Sequence, residues 1–188
     1  MHRITYCTSP NDINYTLKLF RRTQAAMSEG GDDYFDAYPD EAYFRKAQED
    51  RHLIIVKEGA RALALAVISH DVGSSFYPET RNEKRVARIL DAVGVTGEAV
   101  LVIEAFLVDP AFWGQKIGDE LLAFVERTYP HSTYLIAIPV ENEHALRFFY
   151  RHGYLNNGEL NKMERIGSRK CYLMVNKLGR KGLASWSH

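Results

Sequence analysis

The sequence predicts an α/β protein, of the α+β type, organised as one domain over residues 1–177 with a basic tail at 178–188. Three observations carry this. Short β-rich apolar runs recur along the chain, separated by segments whose apolar residues keep helical spacing. No internal repeat or linker interrupts that alternation. Hydrophobic residues make up 46% of 188 positions, enough for one domain with a sizeable core.

Residues 3–7 read as a first strand. Ser9-Pro10-Asn11-Asp12 then opens a helix, with Ser9 as cap and Pro10 in the first turn. Ile13, Leu17, Phe20 and Met27 keep helical spacing up to the stop at Gly30-Gly31. A second short helix spans Asp40 to Gln48, and a hairpin follows from the strands 53–57 and 62–69 around Gly59. Next come a strand at 99–108, a helix at 115–128, a strand at 133–138 and a helix at 142–151. Tyr154 to Glu164 reads as a strand broken by turns at Asn156-Asn157-Gly158, and Lys170–Asn176 as the last strand.

Composition narrows the function classes. Twenty-four basic and 24 acidic side chains balance, which gives no support to nucleic-acid or membrane binding. No apolar run approaches the roughly 20 residues of a membrane span, and MHRITYCTSP lacks the apolar core of a signal peptide. Cys7 and Cys171 lie far apart, without metal-like spacing, and fit buried thiols in a reducing cytoplasm. No metal site is indicated.

The most informative stretch is LVIEAFLVDPAFWGQKIGDELL, residues 101–122. An apolar strand hands its backbone to a loop with two glycines and then to the N-terminus of a helix. Unpaired amides and the positive end of the helix dipole converge there, a ready anion site. The segment resembles the acyl-CoA-binding motif of the GNAT N-acyltransferase superfamily, [Q/R]-x-x-G-x-[G/A]. Its six positions fall on Trp113, Gly114, Gln115, Lys116, Ile117 and Gly118. Trp113 stands for the usual Gln or Arg, and Lys116 for the middle glycine. Backbone donors survive both changes. A second stretch, ENEHALRFFYRHGYL, resembles the family's N-x-x-A-x-x-F-Y-x-x-x-G-F at Asn142, Ala145, Phe148, Gly153 and Tyr154. Asn142 suits a helix cap, and Gly153 suits the left-handed stop.

The resemblance covers about residues 3–177 and implies a mixed, mostly antiparallel sheet of six to seven strands flanked by about four helices. It implies acetyl-CoA as cosubstrate, with an amine of a small molecule or peptide as acceptor. The backbone of Phe106, Leu107 and Val108 would bond the pantetheine arm between splayed strands. Residues 113–118, with Asp119, Asn142 and Phe149, would complete the donor site. Gly118→Trp should then weaken coenzyme A binding strongly with little loss of folding.

Acyl transfer to an amine needs a base, and Glu104 interrupts the apolar strand at a place where many family members carry an acid. A carboxylate is costly there unless partnered or facing a cleft, and partial burial would raise its pKa. The alternative for Glu104 is a structural ion pair. For the acid that protonates the leaving thiolate, the family's tyrosine falls on Phe149, so Tyr150 is the candidate, with Tyr154, His144 and His152 as alternatives. Departure without a dedicated acid is chemically tolerable, because a thiol of pKa about 8.5 is a fair leaving group.

Tyr34, Phe35, Tyr38 and Tyr43 are candidates to wall the acceptor pocket, and Asp32, Asp33 or Asp36 to attract a cationic amine. About 25 residues separate the third and fourth strands where the family has a tight hairpin. Pro78 to Val93 reads as a helix with Arg81, Lys84, Arg85 and Arg88 on its polar face. That face is a solvated surface, a lid over the acceptor cleft, or a contact for a homodimer mate.

Overall fold

The computed structural model describes residues 1–29, 39–70, 99–156, 164–166 and 169–177, with single positions 87, 90, 91 and 94. Its strands are β1 (Arg3–Tyr6), β2 (Leu53–Glu58), β3 (Arg61–Ser69), β4 (Val100–Val108), β5 (Thr133–Pro139), β6 (Glu164–Ile166) and β7 (Arg169–Lys177). Its helices are α1 (Pro10–Glu29), α2 (Glu41–Glu49), α3 (Ile117–Thr128) and α4 (Glu143–Arg151). The strands form one sheet in the order β1-β2-β3-β4-β5-β7-β6. Only the β4–β5 pair is parallel. β4 and β5 are joined through α3, the kind of crossover that a parallel pair requires.

Helix starts follow polar caps, of which Ser9 and Asn142 were read in the sequence. The Ser9 hydroxyl accepts from the Asp12 amide at 3.1 Å. The Asp40 carboxylate accepts from Tyr43 N–H at 2.8 Å, and Asn142 from Ala145 N–H at 3.0 Å. Each supplies an acceptor for an amide that the helix itself leaves open. α4 ends at Gly153, whose φ of 82° is the left-handed stop. α3 differs. It starts at Ile117, two residues later than expected, because Lys116 takes φ 63° and ψ 7°, and no side chain caps it.

The sheet is covered on both faces. One carries Ile54, Ala66, Leu101, Ile103 and Ile136 under Leu121, Leu122 and Val125 of α3 and Phe149 of α4. The other carries Leu53, Ile55, Leu65, Val67 and Leu107 under Ile13, Leu17 and Phe20 of α1 and Phe44 of α2. Beyond β4 that second face continues through Val102, Leu135, Leu173 and Val175, with Leu90 packed against it. Leu90 belongs to the stretch read as an inserted helix, so part of that stretch covers the sheet. The rest of it, including its basic face, lies outside the described residues, as do the 30–38 loop, most of 157–168 and the tail. Of the strand expected at 154–164, the described part is an isolated bridge of Leu155 to Val175 and then β6.

Cys7 and Cys171 are buried free thiols. Burial, reinforced by nearby Asp12, pushes the Cys7 thiol up to about 12. Among the described residues, no helix is long and apolar enough to cross a membrane.

Candidate active site

β4 pairs with β5 only from Val100 to Ile103, against Thr133 to Ile136. Beyond that point β5 runs on beside β7 alone, and β4 beside β3 alone. The cause is local. Val67 pairs with Ala105 and the next residue, Ile68, pairs with Ile103, so Glu104 is an extra residue in the strand. Such a bulge bends its strand and ends pairing. It also shifts which side chains face which way. Leu101 and Ile103 face the α3 side before it, and Phe106 and Val108 face that side after it.

The bulge brings Glu104 out on the α2 side. Its carboxylate is 8% exposed and accepts a hydrogen bond from the Tyr43 hydroxyl at 2.9 Å. Tyr43 is the one residue of the suggested acceptor wall within the described residues.

Past the bulge, β4 has open backbone. Asp109 N–H donates to the Leu63 carbonyl at 2.8 Å, which fixes the phase of the antiparallel ladder. Leu65 and Leu107 bond to each other, while Val108 and Phe106 turn their amides and carbonyls away from β3. The Phe106 peptide groups and the Val108 amide turn toward the gap left by β5, while the Val108 carbonyl accepts from the Trp113 indole at 2.9 Å. The expectation for three consecutive residues therefore needs correcting: Leu107 offers the gap no backbone, because its peptide faces β3. It lines the gap with its side chain instead.

A cavity of about 710 Å³ fills the gap. Phe106, Val108, Phe148 and Phe149 wall its α4 side, and Leu107, Thr23 and Met27 its α1 side. The loop and first turn of α3 close another side with Trp113, Gly114, Lys116, Ile117, Gly118 and Asp119. Gln115 is exposed, and its side-chain amide donates back to the Ala111 carbonyl. Asn142 also lines the cavity while capping α4. Phe149 lines it too, but as a core ring 2% exposed, tilted edge-on to Phe106, Phe148 and Tyr154.

Tyr150, the candidate acid, lies on the surface of α4. It is 47% exposed and is not among the residues lining the cavity, because one position along a helix rotates it about 100° from Phe149. His152 pairs with Asp119 at 3.2 Å, and His144 stacks on Trp113. Tyr154 is fully buried, and burial raises its pKa well above the ordinary tyrosine value.

Among the lining residues, Arg147 and Arg151 were not singled out from sequence. His144, Arg147, Phe148 and Arg151 sit at helical spacing and present one face of α4 to the cavity. With Lys116, the two arginines make that end of the cavity basic. The spacing was readable; what it faced was not. Asp109 anchors the loop from outside the cavity. It is buried, pairs with Arg22 and Arg61 at 2.8 Å each, and accepts from the Ala111 amide at 3.1 Å. Burial opposes its charge, but bonds from Arg61, the Ala111 amide and Arg22 outweigh that and hold its carboxyl below the usual aspartate range.

Gly118 marks a close approach. A Cβ there would stand 3.2 Å from a Phe148 ring carbon and 3.4 Å from a Val108 methyl. Gly118→Trp therefore disturbs packing as well as the loop, contrary to the expectation of little loss of folding. Gly118→Ala is the cleaner probe. It is expected to lower the melting temperature by only a few degrees, since the Phe148 ring can yield, while weakening coenzyme A binding about tenfold or more. Calorimetric titration checks this, and unchanged affinity would place the donor's phosphates elsewhere.

A model of the Acetyltransferase (GNAT) family matches residues 18–154. The solved ribosomal-protein-S18-alanine N-acetyltransferase from Escherichia coli superposes with a TM-score of 0.60 at 14% identity, over 100% of this chain and 99% of that one. A GNAT-family acetyltransferase from Streptococcus agalactiae gives 0.68 at 13% identity, over 94% and 95%. An N-acetyltransferase from Staphylococcus aureus gives 0.59 at 13%, over 95% and 99%. At such identities the structures show a shared fold. No curated protein matches the chain. The family model spans well over half of the 188 residues and includes β4, the glycine loop and α4. The chain belongs to the GNAT acetyltransferase family.

Proposed function

We propose that this chain is an N-acetyltransferase that moves the acetyl group of acetyl-CoA to a primary amine of a small-molecule or peptide acceptor, by direct attack in a ternary complex. The observation that carries the reading is the gap beside β4, where the Phe106 peptide groups and the Val108 amide face a cavity instead of a strand. Pantetheine is a chain of amides and methylenes, and open strand backbone is its natural partner. The uncapped start of α3 and the cations Lys116, Arg147 and Arg151 suit the phosphates at the other end.

Bound acetyl-CoA supplies an activated thioester; the remaining work falls to the protein. The Phe106 or Val108 amide donates toward the thioester carbonyl as charge develops there. Glu104 accepts the amine proton through a water, from the α2 side, with Tyr43 holding the carboxylate. Phe149 occupies the inward position on α4 and carries no proton to give, so the thiolate leaves without a dedicated acid. The same phenylalanine favours a second reading, an acyl-CoA sensor that has lost turnover. Transfer to any member of an amine panel would exclude it.

Coenzyme A is expected to raise the melting temperature more than ADP at equal concentration, because ADP lacks the arm that pairs with β4. Equal shifts in a thermal denaturation assay would contradict the strand-like binding of pantetheine.

A further inference from the structure

Trp113 stands where the family pattern has Gln or Arg, and its surroundings give it a specific posture. The indole N–H donates to the Val108 carbonyl at 2.9 Å. One ring face stacks on His144, with centroids 5.2 Å apart and planes at 26°. Trp113 is still 42% exposed and lines the cavity. A large aromatic held rigid and half in water forgoes the burial that normally offsets its fixed geometry. Beside it stand Lys116, Arg147 and Arg151, all lining the same cavity. Arg147 is tied to Glu143 at 2.7 Å and Arg151 to Asp119 at 3.5 Å, both on exposed surface, where such pairs are weak and exchangeable. A flat π-system in a cavity also lined by three cations matches one ligand chemistry well: a phosphorylated purine nucleoside.

We propose that Trp113 is a specificity-determining residue for the donor, and that its other face stacks the purine base of the nucleotide end while His144 backs it from behind. The inference rests on the acetyl-CoA reading and deepens it. Stacking needs the ring alone. The N–H bond to Val108 serves a different purpose, setting the angle at which the ring stands. The two contributions are separable by substitution.

The test is calorimetric titration of the full-length protein with coenzyme A and with 4′-phosphopantetheine, which keeps the arm and lacks the base. Trp113→Ala is expected to weaken coenzyme A binding about 5- to 150-fold, as loss of one base–aromatic stack does, and 4′-phosphopantetheine binding by less than about twofold. Trp113→Phe, which keeps a π-face and loses the N–H, is expected to restore most of the coenzyme A affinity. In a Trp186→Phe background, where Trp113 is the remaining indole, coenzyme A should quench fluorescence and 4′-phosphopantetheine should not. Equal losses for both ligands in Trp113→Ala would overturn the proposal, and so would failure of Phe to rescue. Either would make Trp113 a brace for the loop. If the wild-type protein bound neither ligand, the donor reading itself would fall, and this proposal with it.

Discussion

Glu104→Gln is expected to lower the rate of acetyl transfer by about 10² to 10⁴ near neutral pH, the usual contribution of a positioned general base. Gln keeps the shape of the side chain, and its carbonyl oxygen can still accept from the Tyr43 hydroxyl, so the bulge and the gap beside β4 are retained. What disappears is the capacity to take a proton. The deficit should shrink as pH rises toward the amine pKa of about 10, because the acceptor then arrives already deprotonated. Coenzyme A affinity should barely move, since the carboxylate stands on the α2 side of β4 and the phosphate loop on the other. Steady-state rates across pH, with binding measured separately, check both halves. A variant with the wild-type rate and profile would make Glu104 a structural carboxylate.

The largest expected change in stability belongs to Asp109. Asp109→Ala removes the shared acceptor of Arg22 and Arg61 and the cap on the Ala111 amide. Both arginines are partly exposed, at 38% and 47%, and water recovers part of the loss. A cost of about 2–3 kcal/mol at pH 7 follows, below the full range for a buried pair. The effect has a sign in pH. The folded-state pKa of Asp109 lies below its ordinary value of 3.8, so its contribution is fully present above that value. It fades as pH falls through the folded pKa. Denaturant midpoints of Asp109→Asn and wild type should therefore differ by a constant amount from pH 5 upward and converge below about pH 4. A gap independent of pH would show that shape, and not charge, is what Asp109 contributes.

Much of this fold was legible because its signals are local. Ser9 and Asn142 each precede an apolar helical stripe and cap the helix they announced, and Asp40, read as the first residue of its helix, caps it. The loop from Trp113 to Gly118 shows itself through its glycines and the strand before it. What stayed hidden depends on phase. Apart from Glu104, LVIEAFLV is apolar, so it has no alternation for an extra residue to interrupt, and the bulge leaves no trace in the pattern. The same blindness made Leu107 look equivalent to Phe106 and Val108. Tyr150 is a different case: chemistry nominated the phenol, while helical rotation turns Phe149, and not its neighbour, inward. Lys116 in the left-handed conformation was not foreseen either, because that conformation is uncommon for a residue with a Cβ.

The extra residue in β4 has a bearing on how this protein can change over time. Side chains in a strand alternate with a period of two, so an added residue inverts everything downstream of it. Here that inversion coincides with the loss of pairing to β5, and a single position sets both the opening of the sheet and the direction of Phe106 and Val108. Replacing Glu104 alters chemistry inside an unchanged frame. Deleting it removes the frame: β4 would return to a regular ladder with Phe106 and Val108 on the face they now hold, nothing local would end its pairing with β5, and the gap between the strands would close. The gap beside β4 is thus tolerant of spelling errors at this position and intolerant of a missing letter.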